Sequence, residues 1–168
     1  MKHIPAICLI FGATALLSTP VTAATLEDLG GLLQDSNGWA APQALVLTQK
    51  QNGVKFMAMR NYTCGAGGGG VTAQVILSLD SPPAQPQEAV DGVKQPDKPN
   101  LSVQGFSGYY EEAGTIHRIT LSLCESKAYS CSFMASGSAS RVQLLSLVKQ
   151  LSLAKVAAIA AQAFGQKP

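Results

Sequence analysis

Val71-Thr72-Ala73-Gln74-Val75-Ile76-Leu77-Ser78-Leu79 is the stretch that decides the fold. Val71, Ala73, Val75, Leu77 and Leu79 make one unbroken apolar face at a period of two, with mostly polar residues between them. Side chains on a strand alternate sides, so this spacing predicts a strand with one face in a core and one face turned away from it.

Towards the N-terminus, the run Gly65-Ala66-Gly67-Gly68-Gly69-Gly70 separates that strand from another, Val54 to Thr63. There Val54, Phe56 and Ala58 alternate with Lys55, Met57 and Met59. Apolar residues on both faces predict a strand covered on both sides, with Met57, Met59 and later Met134 filling the core rather than binding a soft metal. Gln51-Asn52-Gly53 reads as a hairpin turn that leads back to a strand at Ala44 to Thr48. A phosphate loop needs a helix after its glycines and a Lys-Ser/Thr pair. Here a strand follows and Val71-Thr72 stands in place of the pair, so the glycine run reads as a hairpin loop.

Towards the C-terminus, residues 81–100 hold five of the nine prolines among small and charged residues. A segment of that composition buries little apolar surface, which predicts a mobile loop. Only about three strands fall on each side of it, too few for two cores, so it does not divide domains. Beyond it, Leu101 to Glu112, Thr115 to Leu123 and Tyr129 to Gly137 carry strand signals, with Ala113-Gly114 as a turn. The period then changes. Leu144, Leu145, Val148 and Leu151 line up at helical spacing after Ser138-Ala139-Ser140, and Ser152 caps a second helix from Leu153 to about Phe164. Near the start, Thr25 and Asp28 flank a helix whose Leu26, Leu29 and Leu33 share a stripe, and Trp39 is placed to plug its end. The fold class expected is a single α+β domain over residues 24–168. It has about six mostly antiparallel strands, one N-terminal helix and a C-terminal helical pair packed on the sheet. That order resembles the layout of small exported proteins with a central antiparallel sheet between terminal helices.

Residues 1–23 read as a cleavable secretory signal. Met1-Lys2-His3 is a short basic start, Ile4 to Leu17 is apolar, and Pro20, Val21 and Ala23 form a small-residue exit. The apolar run is shorter than the roughly 20 residues a spanning helix needs, so no transmembrane anchor is expected after cleavage. Removing 23 residues from 168 leaves 145, the size of one ordinary domain. Loss of Lys2 takes the formal charge from +2 to +1. With so little charge, and that scattered, nothing attracts a polyphosphate, and nucleic acid is excluded as a partner. The expected location is periplasmic or secreted.

Cys8 leaves with the signal, and Cys64, Cys124 and Cys131 remain. An odd number in an oxidising compartment means one pair and one spare, or a bond to another chain. The segment from Cys124 to Cys131 reads as a hairpin closed by its own disulfide, worth roughly 2.5 kcal/mol by loop entropy. Strand parity opposes it, because Leu121 and Leu123 place Cys124 on the polar face while Cys131 shares its face with Phe133. A bulge would reconcile the two. Cys64–Cys124 and Cys64–Cys131 stay open as alternatives.

No catalytic constellation is legible. His117 is the one histidine left after cleavage, and no ligand cluster surrounds it, so neither a metal site nor a cofactor is expected. Tyr109, Tyr110, Glu111, Glu112, His117 and Arg118 form a candidate binding surface at the end of a hairpin, with Glu111 and Glu112 across from His117 and Arg118. The sequence therefore points to a non-enzymatic envelope protein of a Gram-negative bacterium that binds another envelope or secreted protein or assists assembly. A specific form is an inhibitor or immunity protein that presents the Cys124–Cys131 hairpin to a hydrolase cleft. The alternatives are a carrier of a small apolar ligand, and a hydrolase using His117 with Glu111 or Glu112.

Overall fold

A computed structural model describes residues 26–42, 44–49, 54–65, 70–81, 98–126 and 128–165. The expected export signal (1–23), Thr25, the expected turn at 51–53, glycine-run residues 66–69 and most of the Pro-rich segment (82–97) lie outside the described residues. In chain order the elements are α1 (Leu26–Gly31), β1 (Leu45–Gln49), β2 (Val54–Cys64) and β3 (Val71–Ser81). There follow β4 (Leu101–Val103), β5 (Phe106–Ala113), β6 (Ile116–Glu125), β7 (Ser130–Gly137), α2 (Arg141–Gln150) and α3 (Leu153–Gly165). The domain is α+β, as its periodicities predict.

The strands make one sheet in the order β1-β2-β3-β7-β6-β5-β4, with every neighbour antiparallel. It consists of two meanders, β1 to β3 and β4 to β7, joined where β7 pairs with β3. The chain between β3 and β4 must pass from the centre of the sheet to its edge. The two strands lie four interstrand spacings apart, about 19 Å.

The described chain has seven strands, one more than the six expected, because residues 101–112 are not one strand. Gln104 (φ 52°) and Gly105 (φ 85°) both take left-handed conformations and close a two-residue hairpin between β4 and β5. Glycine adopts that conformation freely, whereas glutamine does so at a cost. The position exploits the glutamine: Nε2 donates to the carbonyls of Val148 (3.2 Å) and Leu151 (2.8 Å), at the C-terminal end of α2. The turn that splits the strand thus also satisfies a helix terminus.

One face of the sheet is the core. Ala58, Val75, Leu77, Ile119, Leu121 and Ala135 are wholly buried there, together with Leu29 of α1, Leu144 and Leu147 of α2, and Leu153 and Ala160 of α3. Ser140 opens α2 with a reciprocal capping box, accepting from the Gln143 backbone while Gln143 Oε1 accepts from the Ser140 N–H at 2.9 Å. The terminal helices are two, bent by 56° at Leu151–Ser152. No single described helix is long and apolar enough to cross a membrane. Trp39 is buried in the core and set edge-on to Tyr62 at 6.5 Å.

Candidate functional site

Strand register decides which of the candidate surface residues meet. β5 and β6 pair Glu111 with Arg118 and Glu112 with His117, the juxtaposition the sequence suggests. Alternation then divides the six residues between opposite faces. Tyr110, Glu112 and His117 lie on the helix-bearing face at its margin, and Tyr109, Glu111 and Arg118 lie on the other.

On the helix-bearing face, the Tyr110 hydroxyl is 2.7 Å from His117 Nδ1 and 3.2 Å from Glu112 Oε2. The two rings stack at 6.1 Å with an interplanar angle of 17°, and the Arg141 guanidinium lies 4.7 Å over the tyrosine. Asn100 fixes the strand beneath, its side chain bonded to both the N–H (2.7 Å) and the C=O (3.1 Å) of Tyr110. A hydroxyl donates only one hydrogen. The arrangement that satisfies all three groups has His117 Nδ1–H donating to Tyr110, and Tyr110 donating onward to Glu112. Burial first, and Glu112 second, push the Tyr110 hydroxyl above the ordinary tyrosine range, so it stays a donor. This chain can relay a proton. It stands apart from the groove of about 640 Å³ that opens beside α1, which is lined by Gly30, Gly31, Leu33, Ala44, Val46, Arg60 and their neighbours.

On the opposite face the sequence reading needs correction. Met57, Met59 and Met134 are half-buried but stand outside the core cluster, and among the described residues no helix packs over them. The three described helices all pack on the other side, because their buried residues join the cluster that contains Val75, Leu77 and Leu121. The methionines instead belong to a row that crosses the sheet in direct register: Leu45–Met59–Ile76–Met134–Thr120–Tyr109. Six strands make five spacings, about 24 Å of nearly unbroken apolar ribbon. One side is bordered by Asn61, Gln74, Ser136, Arg118 and Glu111, and the other by Ser78, Ser132 and Ser122. Leu45 and Leu47 carry the ribbon to the β1 edge, where they are 51% and 49% exposed. Ile76 was the available signal. It is an apolar residue on the polar side of an otherwise regular strand, and Met57 and Met59 repeat the pattern next door.

The cysteines are also placed by register. An irregularity between Ser122 and Cys124 shifts β6 by one residue, so that Cys124 faces Cys131 directly across the ladder. This is the bulge that parity required. Both residues are thiols here and hydrogen-bond to each other. Cys64 is a thiol at the far end of β2. Among the described residues, no group of three or more His, Cys, Asp or Glu is placed to hold a metal ion.

Comparison with known proteins finds no matching family model, no matching curated protein and no matching solved structure.

Proposed function

We propose that this chain is an exported protein-binding module that engages another envelope or secreted protein through the helix-free face of its sheet. The observation that carries the reading is the apolar row Leu45–Met59–Ile76–Met134–Thr120–Tyr109 between borders of serine, amide and paired charge. An apolar centre inside a polar rim is the anatomy of a protein interface. Methionine suits such a surface, because its unbranched thioether adapts to a partner's shape. A half-exposed row about 24 Å long matches a macromolecule better than a small ligand, which is held in an enclosed pocket.

The test places a photo-activated cross-linking residue at Met59, Ile76 or Met134, with the full chain expressed in its native host. The expected result is one protein adduct common to all three positions and absent when the same residue replaces Val142, which is 77% exposed on α2. Adducts of equal yield from Val142, or none from the sheet positions, would sink the proposal.

The meeting of Tyr110, Glu112 and His117 favours a second reading, hydrolysis with His117 as the proton carrier. It requires turnover of an ester or amide substrate that disappears in His117→Ala. Turnover unchanged by that substitution ends it.

A further inference from the structure

We propose that Cys124 and Cys131 form the redox site of this chain, closing as an intrachain disulfide that pins β6 to β7 while Cys64 remains a thiol. The proposal stands apart from the binding reading, because it concerns a different end of the sheet and needs no partner.

Geometry selects this pair from the three that the sequence leaves open. Cys131 is opposite Leu79 on β3, and Cys64 is opposite Val71 on the same strand. Eight residues of extended strand separate those positions, about 27 Å. A disulfide needs α-carbons within about 7 Å, so neither Cys131 nor its direct partner Cys124 can reach Cys64 in the folded chain. The bulge does the opposite for Cys124, turning a side chain that parity assigns to the polar face towards Cys131. The loop between them is tight, with Ser126 Oγ accepting from the N–H groups of Ala128 and Tyr129, each at 3.1 Å. The two thiols are therefore held together before any oxidation.

Cys124 is the more accessible member, since Cys131 is only 1% exposed. The Cys124 thiolate attacks one sulfur of an external disulfide such as oxidised glutathione, and one glutathione leaves and takes up a proton. The deprotonated sulfur of Cys131 then attacks Sγ of Cys124 and expels the second glutathione. Two electrons and two protons pass to one oxidised glutathione, which departs as two reduced molecules. Burial raises both thiols above the ordinary cysteine range, so the thiolate is scarce and closure is slow at neutral pH. Its rate should rise about tenfold per pH unit while thiolate supply limits it.

The test uses the full chain, purified, reduced and then given oxidised glutathione, with an acid quench before alkylation and peptide mapping. The expected product is a linked Cys124–Cys131 peptide two hydrogens lighter than its reduced form, with Cys64 alkylated. Cys64→Ser should keep the link and show an upward shift of its urea midpoint on oxidation. Alkylation of both Cys124 and Cys131 after oxidation, or a link from either to any other cysteine, overturns the assignment. A midpoint that does not move on closure overturns the pinning.

Discussion

Arg60 is the residue on which the N-terminal third depends. It lies on the core face of β2 between Ala58 and Tyr62, with its side chain only 10% exposed. A buried guanidinium is tolerated when its donors are taken. Here four of the five N–H donors go to the carbonyls of Leu33, Ala41 and Pro42 and to the Asp35 carboxylate, tying residues 33–42 to the sheet. Arg60→Ala strands those carbonyls and should cost about 2–4 kcal/mol in urea denaturation. Arg60→Lys keeps the charge but loses the fork, so most of that loss should persist. Asp35→Asn should cost less than about 1 kcal/mol, because its carboxylate is 87% exposed. The period-two pattern Phe56, Ala58, Arg60, Tyr62 already places this arginine inward, but no local pattern tells which distant carbonyls it will meet. Cys131 supports a second prediction at this scale. Burial, and then the neighbouring Cys124, raise its thiol in the folded state. The folded chain therefore holds a proton that the unfolded chain releases near the ordinary value of about 8.5. The sign follows from that difference: the reduced protein is at full strength below about pH 8.5 and weakens by about 1.4 kcal/mol per pH unit above it. Urea midpoints between pH 7 and 10 in reductant should show this fall, and the oxidised protein, which has no thiol there to titrate, should not.

At the level of elements, close approaches of strands set the register, and two glycines mark where they occur. A Cβ on Gly137 would lie 2.1 Å from the Thr72 carbonyl oxygen, at the β7–β3 junction that joins the two meanders. A Cβ on Gly108 would lie 1.9 Å from the Thr120 carbonyl oxygen, between β5 and β6. Both contacts are with backbone, which moves only by breaking its ladder, so Gly137→Ala and Gly108→Ala should each cost about 1–3 kcal/mol. Thermal unfolding followed by circular dichroism would measure both. Strand existence was legible because Val71 to Leu79 and Thr115 to Leu123 keep a strict period of two, and α2 was legible from Leu144, Val148 and Leu151. Three features were not. The Gln104–Gly105 turn carries no strong composition signal, since glutamine is an unusual choice at positive φ and is held there by contacts with α2. The bulge at Ser122–Cys124 appears in sequence only as a conflict of parity. The β3–β7 pairing brings together residues some sixty positions apart in the chain, and no local pattern encodes it.

For the whole molecule, the decisive property is that one sheet face carries every described helix while the other carries an apolar row. The sequence shows both sets of apolar residues but not the difference between them. A methionine on a strand reads the same whether a helix or a partner covers it, and only the placement of α1, α2 and α3 separates the cases. The candidate hairpin surface was legible in its pairing and, through alternation, in its split between Tyr109 and Tyr110, but not in which half faces the helices. Adjacent residues of β3 turn this asymmetry into a test. Leu77 is wholly buried, and Leu77→Ala should cost about 2–5 kcal/mol through the cavity it leaves. Ile76, one residue along, points to the helix-free face and lies outside the core cluster. Ile76→Lys should therefore cost less stability than Leu77→Ala, while placing a charge in the middle of the apolar row. If that row is the docking surface, the lysine must be desolvated on binding, a penalty of several kcal/mol that a typical interface does not absorb. Cross-linking from Met59 should then vanish while the urea midpoint stays well above that of Leu77→Ala. A variant that loses stability as severely as Leu77→Ala would place Ile76 in a covered layer and remove the open face from consideration.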